Sequence, residues 1–515
     1  MLRIAKTESG MVAGAPGTDA RITVFKGIPF ADNTSGENRW RPPQPPKSWD
    51  GVRPCLEFAP ITMQKTPGQD PDAFYSKEWH VDPQVPMSED GSLVVNIWTP
   101  AKTGKEKLPV MVWIFGGGLQ EGYAHEMEFD GERVAARGVI LVSVAYRLNV
   151  FGFLAHPELT AENPEAPTNF GFLDQKAGIE WVKRNIANFG GDPENITILG
   201  QSAGGVSVFS HLCSPQTEGL FQKAVIQSSA GGSVLPVYPK TRFNPAVPLA
   251  QAEANGVRFL KEFLGVDTIA EARKLDAKFI RDKCVEAGIW FAQVTDGKFM
   301  DETITEGIFR GHAHRVPILI GYTGDEMPLG VPGGTDGQVE AWAAEQFGPY
   351  AQEFVAACRE KAQREGTTLA QAAMVNVNEN STRIVAEELS RQGHPVYAYA
   401  FDPEIPGDDA GSFHSSDLWF SFETLMKCWR PFDGHHFDLA RRMCNYWTNF
   451  AKSGDPNGPD ADGTPMPEWT PYTAESPRVI HLYDEIAMEL PEEADKKREV
   501  MLRANREAFA KGLGR

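Results

Sequence analysis

Residues 196–205, Ile-Thr-Ile-Leu-Gly-Gln-Ser-Ala-Gly-Gly, hold a serine in a setting suited to nucleophilic chemistry. An apolar β-branched run ends at Gly200, and the segment from Gly205 to Phe209 can continue as a buried helix. Gly200-Gln201-Ser202-Ala203-Gly204 therefore reads as G-x-S-x-G between a strand and a helix. A sharp turn there lifts Ser202 clear of the sheet and sets it at a helix N-terminus, where unpaired N–H groups favour developing negative charge. A tight strand–helix turn with an incidental serine has the same pattern. An activated serine also needs a base, an orienting acid and an oxyanion hole.

Each of these has a candidate. Gly116, Gly117 and Gly118 follow a nearly all-apolar run, and the N–H groups of Gly117 and Gly118 can join that of Ala203 around an oxyanion. Each such donor contributes roughly 3–4 kcal/mol in the transition state. A phosphate loop does not fit, because no Gly-Lys-Ser/Thr follows. The acid is Glu326 or its neighbour Asp325, just past the run Ile318–Gly321, and the residues alone do not choose between them. The base is His414, which comes last in the order nucleophile, acid, base. The other histidines read as structural. His312/His314 and His435/His436 have no Cys or carboxylate partners at ligand spacing, so no metal site is expected. His125, near Glu126 and Glu128 behind the glycine loop, reads equally as a pocket residue or a solvated one.

These groups must be carried by strand ends. Strands are expected at Arg21–Ile28, Leu93–Trp98, Leu108–Phe115, Val139–Ala145, Ile196–Leu199, Phe221–Ser228, Val316–Gly321, Val396–Phe401 and Arg478–Leu482. Helices are expected at Asp174–Phe189, Leu439–Ser453 and Glu492–Lys511. Charged helical stretches at Ala250–Leu264, Ala270–Ala287, Val339–Glu365 and Thr368–Gln392 form two insertions, at about 245–310 and 338–392. Residues 31–88 are a long irregular excursion rich in Pro, Asn and Gly. Strands alternating with helices imply an α/β fold with a mostly parallel central sheet and a site at the carboxyl ends of its strands. The insertions fall where a cap around that site would be built.

The 515 residues suffice for a large core, and 41% hydrophobic content with 12 Trp and 30 Phe argues a packed globule. A net charge of −19 disfavours nucleic acid and anionic membranes as partners. The longest apolar run, Val139–Leu154, is interrupted by Arg147, so no transmembrane segment is expected. The N-terminus has no apolar leader, and the six cysteines are scattered without a CxxC pair, as in a reduced, cytoplasmic protein.

The chain resembles the type-B carboxylesterase family (cholinesterases, para-nitrobenzyl esterases) of the α/β-hydrolase superfamily over almost its whole length. The resemblance rests on Phe25-Lys26-Gly27-Ile28-Pro29-Phe30-Ala31, Ser88-Glu89-Asp90, Leu93–Trp98, Tyr146-Arg147, Phe151–Leu154, Phe189–Pro193 and Trp447–Ala451. It implies one α/β-hydrolase domain over residues 1–515, with Ser202 as nucleophile, Glu326 rather than Asp325 as acid, and His414 as base. It also implies structural ion pairs Arg39–Glu89 and Arg147–Asp174, and a supporting Ser228.

The chain departs from the family pattern in places. The family's first disulfide would need Cys near Thr62 and Gly91, where neither is Cys, which again favours a cytoplasmic, bacterial-type enzyme. Gln201 stands where Glu is usual, removing a negative charge and pointing away from choline esters. Phe115 stands where many esterases carry His, and Leu119 replaces a common aromatic, opening the acyl side. The expected activity is hydrolysis of neutral carboxylic esters by water through an acyl-enzyme, without a cofactor. Amide, carbamate or thioester hydrolysis by the same groups, and a binding role on the same scaffold, stay open. Trp419 and Phe420 after the base, with Tyr75, Trp79 and Tyr123 in rim loops, are candidates for an aromatic pocket suited to aryl or hydroxycinnamate-type esters. Oligomeric state is left open.

Overall fold

The computed structural model describes the chain except for residues 80, 235–237, 240–245, 327–333, 462, 490–494 and 513–515. Its centre is an eleven-stranded sheet. From Ile140–Val144 the strands run through Leu108–Ile114, Gly191–Gln201, Lys223–Gln227, Ile318–Thr323 and Val396–Phe401 to Ile480–Leu482, every neighbouring pair parallel. Val94–Thr99, Thr23–Pro29 and Ala15–Pro16 extend one edge antiparallel, and Ala487–Met488 closes the other. Helices such as Phe170–Asn185, Ala203–Cys213 and Gly434–Ser453 cover the sheet. This is the α/β-hydrolase architecture expected above. The central strands read as unbroken apolar runs because they are buried on both faces: Ile318–Thr323 and Val396–Phe401 are buried throughout.

The long excursion is pinned rather than loose. Arg39 makes a bidentate pair with Glu89, each contact 2.6 Å, and the Trp40 indole N–H donates to the Val150 carbonyl at 2.9 Å. Within it the Phe74–Glu78 helix buries Glu78, which accepts from Trp419, Trp429 and Arg430, each at 3.0 Å. A separate three-stranded sheet of Ile4–Thr7, Gly10–Ala13 and Val52–Pro54, absent from the expected elements, packs beside it.

The insertions are helical but broken. Ala270–Ala287 divides into Ile269–Ala272 and Ala277–Ala287, because the Asp276 carboxylate caps the second helix through the N–H groups of Lys278 and Phe279. Val339–Glu365 divides at Gly348-Pro349, and Thr368–Gln392 divides before Asn376, which caps Val377–Arg391. Val339, Trp342, Phe347, Phe354 and Cys358 form a small core of their own, shared with Val500 and Met501 of the Lys496–Gly512 helix. Among the described residues no helix is long and apolar enough to cross a membrane, and all six cysteines are free thiols.

Candidate active site

Four strands of the parallel core, with Lys223–Gln227 between the second and third, deliver the site at their carboxyl ends. Leu108–Ile114 leads to the glycine loop, Gly191–Gln201 to Ser202, Ile318–Thr323 to Glu326, and Val396–Phe401 toward His414. Parallel register brings Ile114 opposite Gly200 and Thr323 opposite Phe401, so the loops emerge side by side.

Ser202 has φ 54° and ψ −124°, a conformation a serine adopts only under constraint. Two contacts impose it: the Ser202 N–H donates to the Gln227 carbonyl at 2.9 Å, and its carbonyl accepts from Val206 N–H at 3.0 Å as the Ala203–Cys213 helix begins. The turn also needs glycine at 204, where a Cβ would drive into the Ile114 carbonyl oxygen. Gly117 has φ 98°, and a Cβ there would collide with the Glu121 carbonyl. The Gly117 carbonyl accepts from the N–H groups of Gln120 at 3.0 Å and Glu121 at 3.1 Å. Among the described residues, the N–H groups of Gly117 and Gly118 donate to no protein acceptor, and Ala203 is the first residue of its helix.

Glu326 and His414 meet directly: the Glu326 Oε2 atom hydrogen-bonds the His414 Nδ1 atom, while Oε1 accepts from Thr323 N–H at 3.2 Å. Burial alone would push the Glu326 carboxyl up, but the His414 imidazole, the Ser228 hydroxyl and the Thr323 amide outweigh it and hold the acid below its ordinary range. Burial alone would likewise push His414 down, and the Glu326 carboxylate with Asp417 behind it raises it instead. Asp325 turns away. Its Oδ2 accepts from Ser412 N–H at 2.9 Å, and its own N–H donates to the Ser412 carbonyl at 3.0 Å, stapling the Glu326 loop to the His414 loop. Ser228 has φ 48° and donates its N–H to the Gly321 carbonyl at 2.8 Å. Its Oγ lies near enough to favour ionised Glu326, without a hydrogen-bond partner of good geometry. The neighbour of His414 Nε2 is the Gln201 side-chain amide at 3.3 Å, and no hydrogen bond joins His414 to Ser202.

The expected pocket residues fare differently. Gln201 lies against His414. Leu119 does not open the acyl side: only 2% exposed, it packs in the main core. Trp419 and Phe420 do not line a pocket either. They lie in the fully buried Asp417–Ser421 helix, where Trp419 binds Glu78 and Phe420 packs on Phe401 and Phe432. His125 stacks on Phe58 at 4.5 Å and meets the Tyr123 ring at a tilt at 4.8 Å, and burial with nearby Lys26 lowers its pKa to about 4, so it is a neutral packing residue.

Other residues take the places those were expected to fill. Trp290, 66% exposed in the first insertion, sets its ring against Gly118, and Gln120 Nε2 donates to the Phe291 carbonyl at 2.6 Å. Tyr75 donates its hydroxyl to the His414 carbonyl at 2.9 Å. Asn376 of the second insertion holds the Thr323 carbonyl at 2.9 Å and that of Gly324 at 3.2 Å. Asp417, buried near His414, accepts from Tyr399 at 2.8 Å and Gln227 at 3.0 Å, and burial pushes its pKa up to about 6. Only Tyr75 carried a signal, as an aromatic in a rim loop. The others depend on tertiary approach. An open cleft along Thr66, Gln69, Lys77 and Val81 holds none of these groups.

The sheet order and the constrained turn at Ser202 make this an α/β-hydrolase. The sequence profile of the carboxylesterase family matches residues 2–500, and the chain belongs to that family, whose activity is carboxylic ester hydrolysis. It is 30% identical to the para-nitrobenzyl esterase of Bacillus subtilis over 511 residues, covering 97% of this chain and 98% of that protein. It is 30% identical to the fumonisin B1 esterase of Sphingopyxis macrogoltabida over 481 residues, covering 88% and 82%. The crystal structure of a Geobacillus stearothermophilus carboxylesterase superposes with a TM-score of 0.77 at 31% identity, covering 97% of this chain and all of that one.

Proposed function

We propose that the chain, acting as one α/β-hydrolase domain, cleaves neutral carboxylic esters with Ser202 as nucleophile, His414 as general base and Glu326 as its orienting acid. The observation that carries this reading is the buried Glu326–His414 pair beside the constrained Ser202 turn. Ester binding brings His414 Nε2 onto Ser202 Oγ, a contact that commonly tightens only in the substrate complex. As Oγ bonds the ester carbonyl carbon, its proton passes to Nε2, and Glu326 stabilises the imidazolium. The oxyanion is met by the N–H groups of Gly117, Gly118 and Ala203. The carbon–alkoxide bond breaks, His414 returns the proton to the leaving alcohol, and water attacks the acyl-enzyme by the same route. The scheme needs no cofactor.

Two features support neutral and aryl esters. Gln201 places an uncharged amide at the base, and the Trp290 indole ring lies beside the oxyanion loop. Ser202→Ala is expected to lower kcat/KM for short p-nitrophenyl esters by roughly 10⁴-fold or more, since its partners act as a unit. A fluorophosphonate probe is expected to label Ser202 alone. Activity within about tenfold of the parent, or no adduct at Ser202, rules the assignment out.

A further inference from the structure

We propose that Gln64 is a positioning residue for ester cleavage: its side-chain amide clamps the end of the glycine loop at 116–122 and so aims the Gly117 N–H at the oxyanion. This role rests on the reading of Ser202 as nucleophile and of that loop as the oxyanion hole.

The loop does not hold its own shape. Gly117, Gly118, Leu119 and Gly122 all have positive φ, at 98°, 66°, 61° and 107°. Among the described residues, its internal backbone hydrogen bonds are those that Gln120 and Glu121 give to the Gly117 carbonyl. A conformation so sparsely populated persists only where its surroundings impose it. Here they do so at three points. At the entry, the Tyr146 hydroxyl donates to the Phe115 carbonyl at 2.7 Å. In the middle, the Asn149 N–H donates to the Leu119 carbonyl at 2.7 Å, and its side-chain amide donates to the Gln120 carbonyl at 3.1 Å. At the exit, Gln64 Oε1 accepts from the Gly122 N–H at 2.8 Å and Nε2 donates to the Gly122 carbonyl at 2.9 Å.

The exit contact reaches the chemistry most directly. A Cβ at position 122 would stand 2.8 Å from the Gly116 carbonyl oxygen, so Gly122 packs closely against that oxygen. The Gly116 carbonyl and the Gly117 N–H belong to one planar peptide unit and point opposite ways. Holding Gly122 in place therefore sets the direction of the Gly117 N–H. A glutamine suits the task because it offers one acceptor and one donor without charge, matching both polar groups of a single residue. The clamp is itself anchored. Gln64 is fully buried, and its Nε2 also donates to the Thr62 carbonyl at 3.2 Å. The Thr62 hydroxyl donates to the Tyr146 carbonyl at 3.1 Å, and Asn149 Nδ2 donates to the Met63 carbonyl at 3.0 Å. The Ile61 N–H donates to the Pro86 carbonyl at 2.7 Å, and the Ile61 carbonyl accepts from the Ser88 N–H at 2.9 Å.

Gln64→Met removes both polar groups at similar volume. Its kcat/KM for short p-nitrophenyl esters should fall roughly 10- to 100-fold, since a misplacement of about 1 Å can cost about 100-fold. A pair of ketone inhibitors separates positioning from packing. An alkyl trifluoromethyl ketone takes Ser202 Oγ at its carbonyl carbon; the Ser202 proton passes to His414, and the carbonyl oxygen becomes the oxyanion. The matching methyl ketone binds with its carbonyl intact. The trifluoromethyl ketone Ki should rise by the factor that kcat/KM loses, while the methyl ketone Ki stays within about twofold. Gln64→Asn keeps the amide but withdraws it by one methylene; it should show the same split and serves where Gln64→Met does not fold. Fluorophosphonate titration counts the folded sites in each variant. Variants that bind both ketones as the parent does, or that lose both equally, overturn the positioning role even if their melting temperature falls. A parent that binds the two ketones equally overturns the reading of Ser202 itself, and this role with it.

Discussion

Gln201 touches the His414 imidazole through a neutral side-chain amide. A negative charge so close would favour the imidazolium form of His414, which Glu326 and Asp417 already raise above its ordinary 6.5. In its proposed role His414 must be unprotonated to accept the Ser202 proton, so activity is expected to fall as pH drops through the raised value. The acid limb of kcat/KM should therefore lie above pH 6.5. Gln201→Glu should move it higher and raise the ratio of choline-ester to neutral-ester turnover. A pH–rate profile and a paired substrate assay read both, and an unmoved limb in the variant means that Gln201 does not sense the base.

At the scale of elements, the site depends on straps arriving from distant segments. Tyr75, on the Phe74–Glu78 helix, holds the His414 backbone. Tyr75→Phe removes one hydrogen bond of about 1 kcal/mol, so kcat should fall roughly fivefold with little change in KM or melting temperature. A fall in KM-dependent terms alone would show that Tyr75 serves binding instead. The strands that carry Ser202, Glu326 and the glycine loop were legible because burial on both faces leaves no room for polar residues. Glycine placement marked the loops that follow them. The straps were illegible because a tyrosine or asparagine in a loop has no periodic signature. Trp419 and Phe420 were misread for a related reason. Nearness in sequence to His414 says nothing about which way a short helix turns, and Asp417–Ser421 turns wholly into the core. The first sheet escaped notice because its strands are short and half exposed.

Over the whole molecule, a few buried ion pairs fasten the layers. Arg147, just past the Ile140–Val144 strand, holds both carboxylate oxygens of Asp174 at 2.7 Å on the Phe170–Asn185 helix, with both side chains buried. Burial pushes the Asp174 carboxyl up against the pull of Arg147. Asp174→Asn leaves an uncompensated buried guanidinium, and unfolding in urea should show about 3–5 kcal/mol lost. A loss under 1 kcal/mol would mean that solvent reaches the pair. The Lys496–Gly512 helix fastens the molecule differently. It supplies Val500 and Met501 to the small core of the second insertion, and Lys497 Nζ donates to the carbonyls of Ala372 at 3.1 Å and Met374 at 2.7 Å. During synthesis the insertion therefore leaves the ribosome well before the helix that completes it. Its apolar face waits uncovered in the nascent chain, a surface of the kind chaperones hold.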